Sequence, residues 1–358
     1  MKRLLPVLLF VVSFFSLSCN NGTEPKTVIV QDTTSHNFVW QTFTFGDGNS
    51  SILNDVVIIN DSLVYAVGEI YLNDSAAQLD PQPYGVAIWN GKEWNFRRVY
   101  AYTQGGFLEN IRPIIGVDAF SSTDIWLADG NAFIWDGHDT MLTSYWVSGY
   151  PGNPSPVLGP NQGIGKLWGT SDQNLYGGGA NGGLAHYNGS SWIKLESGTN
   201  TNIDDVWGII NSSNGNETIY CAVSYPFQPG GNEILKITDT NKVDTIQWVG
   251  NEVESVWRSN SSPIYACGDG LFKSTASGWS QINLGISAHT NHVRGNGAND
   301  VFVVGIFNLL AHYNGSTWQT YFEGESGDYV SVAIKGDMVV AVGETNSSKA
   351  LIAIGKRN

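Results

Sequence analysis

The chain has 358 residues, with 18 Lys and Arg against 32 Asp and Glu and a formal net charge of −14. An acidic chain without a basic stripe is a poor partner for nucleic acid or for anionic lipid headgroups. Catalytic signatures are missing as well: there is no G-x-S-x-G elbow, no H-E-x-x-H zinc helix and no P-loop.

In chain order, the first segment reads as an address label. Met1-Lys2-Arg3 is basic, residues 4–17 are apolar, and Ser18-Cys19 places a small residue before cysteine. The apolar stretch is shorter than the ~20 residues of a spanning helix. Ser16-Leu17-Ser18-Cys19 resembles a bacterial lipoprotein signal, with Ser16 where such signals usually carry Leu. The resemblance implies removal of residues 1–18 and diacylation of Cys19, which anchors a protein to a membrane without crossing it. Ordinary secretory cleavage nearby is the alternative. Asn20 after the cysteine, rather than Asp, implies by the same analogy the outer membrane of the cell envelope. Loss of Lys2 and Arg3 takes the formal charge from −14 to −16. Residues 19–36 are polar and read as a flexible tether. Residues 37–358 read as one domain.

Within that domain the chain repeats. Trp40, Trp94, Trp146, Trp192, Trp248, Trp279 and Trp318 recur 31 to 56 residues apart, a spacing that brackets the four-stranded blade of a β-propeller. Each unit lays out as four short strands, A to D. Strand A has an apolar centre, as in Val56-Val57-Ile58, Val206-Trp207-Gly208 and Val332-Ala333-Ile334. A turn rich in Asp, Asn, Ser and Gly follows. Strand B appears as Val64-Tyr65-Ala66-Val67-Gly68 and Val301-Phe302-Val303-Val304-Gly305. Strand C leads into Asn-Gly or Asp-Gly, as in Ile88-Trp89-Asn90-Gly91, Ile134-Trp135-Asp136-Gly137, His186-Tyr187-Asn188-Gly189 and His312-Tyr313-Asn314-Gly315. These dipeptides predict type I′ hairpins, whose central residues both need φ > 0. All thirteen tryptophans fit the slots: seven in D, two in C, one in B and three in A. Packing between blades therefore accounts for them. The fourth and fifth units lack the Asn-Gly turn, which leaves room for an irregular fourth blade.

The ends complement each other. Residues 329–354 supply strands A, B and C but no D, whereas Phe38-Val39-Trp40-Gln41-Thr42-Phe43 has no A, B or C before it. The N-terminal strand is therefore predicted to complete the last blade, closing a ring of seven and removing exposed sheet edges. The units resemble those of bacterial β-propeller repeat proteins that read W-G, then D-[IV]-[WYF]-x-x-G, then H-Y-N-G-x-x-W. The resemblance covers nearly all of residues 37–358 and implies an all-β, seven-bladed propeller. That family is functionally diverse, so it transfers no catalytic residue. Cys221 and Cys267 fall on opposite faces of strand B in successive units, which admits a disulfide between adjacent blades or two separate buried thiols.

The candidate site follows from the fold. In propellers the D-to-A and B-to-C connections line one face around the central channel. His289 and His292 have no counterpart in other units and enter strand A of the sixth blade beside Arg294. Three residues apart on an extended segment, their rings point to opposite sides, which disfavours a shared metal. Asp204 and Asp205 precede strand A of blade 4, and Glu252 and Glu254 that of blade 5. With Arg112 these groups make a mixed-charge ring suited to a polar ligand. Two long B-to-C connections, residues 69–84 and 224–232, carry Tyr71, Tyr84, Tyr225 and Phe227, aromatics placed where packing does not require them. His186 and His312 share one repeat slot and read as structural. Gly177, Gly179 and Gly182 match G-x-G-x-x-G but lie between two strands instead of opening a helix, so no dinucleotide is implied. No metal or cofactor is expected. The expected function is a lipid-anchored envelope module that binds protein or glycan without catalysis. The alternative is a glycosidase or lyase acting on polysaccharide near His289 and Arg294 with nearby carboxylates.

Overall fold

The computed structural model describes residues 33–358, apart from 104, 151, 154, 212, 226–230, 240–241 and 322–325. Cys19 and Phe227 lie outside the described residues. β1 (Phe38–Phe45) comes first. Blade 1 is β2–β5 (Ile52–Asn60, Leu63–Ile70, Tyr84–Trp89, Trp94–Arg97), and a small hairpin follows, β6 (Tyr100–Tyr102) and β7 (Leu108–Asn110). Blade 2 is β8–β11 (Gly116–Ser121, Asp124–Asp129, Asn131–Trp135, Thr143–Tyr145). Blade 3 is β12–β15 (Lys166–Ser171, Asn174–Gly178, Leu184–Tyr187, Trp192–Lys194). Blade 4 is β16–β19 (Asn202–Ile210, Glu217–Ser224, Glu233–Asp239, Lys242–Ile246). Blade 5 is β20–β23 (Val253–Trp257, Tyr265–Gly268, Gly270–Thr275, Gly278–Ile282). Blade 6 is β24–β27 (Thr290–Gly297, Asp300–Gly305, Leu310–Tyr313, Trp318–Tyr321). β28–β30 (Gly327–Lys335, Met338–Thr345, Ala350–Arg357) begin blade 7.

β1 completes that last blade. It pairs antiparallel with β30 over its whole length, Trp40 opposite Gly355, in the order β1-β30-β29-β28. The first strand of each blade touches the first strand of the next, and β28 returns to β2. The ring is closed as the complementary ends require. Blade 4 carries all four strands, with a register shift between Ile237 and Asp239 before its C-to-D connection. The closure begins before Asn37: Thr34 donates from Oγ1 to the Asn299 carbonyl at 2.7 Å, and the His36 and His312 Nδ1 atoms meet at 2.8 Å.

The apolar residues collect in seven clusters, one at each junction between blades. Alternating strand residues face opposite junctions, which is why both faces of each blade are hydrophobic. Twelve of the thirteen tryptophans belong to these clusters or pack against them. Trp146 does not, and it lies beyond the end of β11. Trp248 also lies past its fourth strand, β19, but is buried against Phe272 and Trp279.

The C-to-D turns differ from the expected type. At Asn90-Gly91, Asn188-Gly189 and Asn314-Gly315 only the glycine has positive φ, at 92°, 89° and 97°. The asparagine side chain instead accepts backbone N–H groups two and three residues ahead, as Asn90 does from Lys92 and Glu93 at 3.0 Å. This is an Asx-type arrangement, which needs the amide oxygen and a glycine but no second left-handed residue.

Cys221 and Cys267 are free and buried. Cys221 packs with Tyr176 and Leu184 of blade 3, whereas Cys267 packs with Val293 and Val301 of blade 6. The thiols therefore face away from each other across the pair of blades, and the disulfide alternative is removed. His186 and His312 behave as one structural slot. Each bonds through Nε2 to a residue at the start of strand B, Asn174 at 2.6 Å and Asp300 at 2.9 Å. Each also stacks on that strand's aromatic, Tyr176 or Phe302.

Candidate functional site: the acidic mouth of the channel

Five of the seven first strands carry a register shift at the same place. The shifts fall between Leu53 and Asp55, Ile203 and Asp205, Val253 and Ser255, Thr290 and His292, and Tyr329 and Ser331. A bulge leaves one residue unpaired and re-aims it. The residues so released are Asn54, Asp204, Glu254, Asn291 and Val330. Four of them, all but Asn54, line a cavity of about 690 Å³. Its other walls come from D-to-A connections (Ile115, Glu252, His289) and B-to-C connections (Gly179, Ala180, Ile306). The cavity is thus the mouth of the channel on the connection face.

The residue after each bulge points inward and builds a polar girdle. Ser331 Oγ donates to Asp55 Oδ1 at 2.7 Å. Asp55 Oδ2 accepts from Val117 N of blade 2 at 3.3 Å and lies 3.3 Å from Lys166 Nζ of blade 3. Asp205 Oδ2 accepts from Ser255 Oγ at 2.6 Å and from Val256 N at 3.1 Å. Ser255 Oγ accepts from Val293 N, and His292 Nδ1 from Val332 N at 3.1 Å. That last bond leaves the imidazole proton on Nε2 in the neutral ring. Burial, then the Arg294 charge, lowers the His292 pKa and favours that neutral form.

Arg294 reaches back across blade 5 to grip Asp205 with both terminal nitrogens, at 2.6 and 2.8 Å, over the face of Trp207. Burial opposes the charge on each member. Their mutual attraction and bidentate bonds overcome it, holding Asp205 well below the usual carboxylate range and raising Arg294. Asp205, His292 and Arg294 are therefore members of the girdle, and of the three only His292 also lines the mouth.

The mouth retains Asp204, Glu252, Glu254 and His289. His289 stands between the two glutamates, Nδ1 at 3.7 Å from Glu252 Oε2 and Nε2 at 3.8 Å from Glu254 Oε1. One ligand atom from each of the three lies within 4.8 Å of the others, close enough to share a single cation. Burial, then the neighbouring Glu254, pushes Asp204 up to about 8. Burial likewise raises Glu254. Lys166, the one lysine or arginine in the cavity wall, is committed to Asp55 and to the Asn54 and Ile115 carbonyls.

The remaining sequence candidates lie apart from this mouth. Tyr71 Oη donates to Glu69 at 2.6 Å, and Arg112 bonds the same carboxylate at 3.0 Å. Tyr84 opens β4 under the guanidinium of Arg98, 4.1 Å from its ring centre. Tyr225 is exposed in the blade 4 connection. The aromatic content of the connection face is nevertheless marked. The exposed aromatics among the described residues are Tyr102, Phe107, Tyr150, Tyr225 and Phe307, and all five lie in D-to-A or B-to-C connections.

Sequence reasoning passed over Phe307 and the girdle. Phe307 is 71% exposed at φ 59°, a strained setting for a bulky residue, and its N–H is held by Asp328. The girdle did leave a signal: Asp55-Val56, Asp205-Val206, Ser255-Val256, His292-Val293 and Ser331-Val332 are the same polar–valine pair in the same slot.

No family model and no curated protein sequence matches the chain. Solved structures do match. One described as YCF48 bound to D1 peptide superposes with a TM-score of 0.63 at 12% identity, over 91% of this chain and 99% of the other. The chain is a seven-bladed β-propeller. The WD40 propeller domain of Doa1 matches with a TM-score of 0.61 at 15% identity, over 90% and 98% of the two chains. U3-55K matches at 0.62 and 10%, over 88% and 98%. At these identities the likeness is one of fold, and this propeller's site rests on its own residues.

Proposed function

We propose that this propeller is a non-enzymatic protein-interaction module that takes up a cationic side chain of an extended partner segment at the channel mouth. The observation that carries this reading is the charge imbalance there. Asp204, Glu252 and Glu254 converge on the cavity, and its one lysine is already paired with Asp55. Burial raises Asp204 and Glu254, and a guanidinium or ammonium group brought into the cavity would stabilise their charged forms. The exposed Phe307, next to Ile306 of the cavity wall, offers rigid contact area beside that anchor. The propeller fold is commonly an interaction platform, and one structure it resembles is described with a bound peptide.

We further place the module in the cell envelope, held by a lipid on Cys19 at the outer membrane. The lipoprotein-like Ser16-Leu17-Ser18-Cys19 supports this part of the reading.

An array of extended peptides with systematically varied charge tests the interaction. Retained peptides should carry Lys or Arg, and the double variant Glu252→Gln/Glu254→Gln should lose them without a lower melting temperature. Retention that ignores peptide charge, or survives both substitutions, would overturn the assignment. Metabolic labelling with a fatty acid tests the anchor, which fails if Cys19→Ser still incorporates label.

A further inference from the structure

Trp146 departs from its repeat. The other six tryptophans of its series sit in or against junction cores, but Trp146 follows β11 and lines a separate cavity of about 370 Å³ beside blade 2. That volume falls within the roughly 300–1,000 Å³ of small-ligand clefts. Tyr150, Asp129, Glu109, Asn131 and Phe133 also line it. The β6–β7 hairpin supplies Glu109 and has no counterpart among the described residues of the other D-to-A connections.

Both large rings are braced. Trp146 meets Phe133 edge-to-face, with centroids 6.3 Å apart. Tyr150 lies on two glycines: a Cβ added at Gly163 or Gly130 would come within 3.0 or 3.3 Å of its Cε2. The connection that carries the rings is pinned by Asn153, whose Nδ2 donates to the carbonyls of Ser148 at 2.6 Å and Trp146 at 3.2 Å. Asn131 Oδ1 holds the Ser148 N–H at 3.0 Å. Among the described residues the carboxylates of Asp129 and Glu109 have no hydrogen-bond or ion-pair partner, so two acceptor groups stand ready beside two pre-set rings.

We propose that this cavity is a saccharide-binding site in which Trp146 and Tyr150 stack on the apolar face of a sugar ring and Asp129 and Glu109 accept its hydroxyl protons. A pyranose offers both parts, C–H groups on one face and hydroxyl donors around its edge. A proline-rich peptide would also stack on such rings, but it brings few donors for the carboxylates. Burial pushes Asp129 up to about 7, so near neutral pH it can also present an O–H to a sugar oxygen.

Saturation-transfer NMR on the full chain, with short oligosaccharides of glucose, galactose, mannose and N-acetylglucosamine as probes, tests the site. At least one should receive saturation at its ring C–H protons. Trp146→Ala and Tyr150→Ala should each weaken binding by about tenfold or more. Tyr150 is 42% exposed, so its removal leaves the melting temperature in place and keeps the test valid if the Trp146 variant folds poorly. Absence of transfer to every probe, or transfer that survives Tyr150→Ala, overturns the proposal. So does a proline-rich peptide that displaces the bound sugar and gives the stronger signal.

Discussion

Ser331 and Asp55 are joined by a 2.7 Å hydrogen bond although 276 residues separate them in sequence. The bond seals the girdle where the seventh blade meets the first, inside the junction that β1 closes from outside. The same girdle holds Arg294 against Asp205, the carboxylate fully buried and the guanidinium nearly so. Removing one member of a buried ion pair strands the other, a loss of about 3–5 kcal/mol. Asp205→Ala should therefore lower the denaturation midpoint sharply. The double variant Asp205→Asn/Arg294→Met should recover much of the loss. Denaturant melts decide the matter; a single variant as stable as the parent would remove Asp205 from its structural role.

Closure by β1 makes a second prediction, located at Gly355. Opposite Trp40, a Cβ at this position would lie 2.6 Å from the indole and 2.8 Å from Val339. The indole is wedged between the last blade and Tyr321, so it has little room to retreat. Gly355→Ala should cost about 1–3 kcal/mol, the usual scale of overpacking. Gly297→Ala is the control, since its nearest neighbour would be an Asn299 oxygen at 3.6 Å. Equal melting temperatures for the two variants would contradict a tightly packed seam.

The fold was largely legible in the sequence because repetition multiplies weak signals. One Asn-Gly pair is ambiguous, but three, with Asp136-Gly137, at the same point of four units specify a hairpin, although its turn is of the Asx type instead of type I′. Complementary ends likewise specify closure. The site was less legible because bulges decide it. Asp204 and Asp205 are neighbours in sequence, yet one register shift sends Asp204 to the mouth and Asp205 into the girdle. Trp146 shows the converse limit. Its spacing fits the repeat, and only the early end of β11 reveals that it has left the core.

The buried carboxyls set the pH dependence. Asp118 and Asp129 are raised to about 7 and Asp204 to about 8, each chiefly by burial. A carboxyl with a raised folded pKa adds stability that is complete below its unfolded value, about 4, and is lost as pH rises through the folded value. Asp205 runs the other way. Burial disfavours its charge but Arg294 holds the group low, so its contribution is present above about pH 4 and is lost in acid. Asp204→Asn should thus raise the melting temperature at about pH 9 and change it little at about pH 4. The same substitution should weaken capture of basic peptides. A gain of equal size at both pH values would show that the carboxyl is not its source.

Cys221 and Cys267 supply the last prediction. Both thiols are fully buried, and burial raises their pKa values, so the reactive thiolate is scarce as well as inaccessible. Labelling by a thiol reagent should follow global unfolding. The two sites should then react together, at a rate that rises with denaturant as the melt does. Because they face blades 3 and 6, oxidation cannot link them within a closed ring. Peptide mapping after mild oxidation should find neither cysteine in a disulfide. A Cys221–Cys267 linked peptide from native protein would mean that blades 4 and 5 had turned relative to the clusters that hold them.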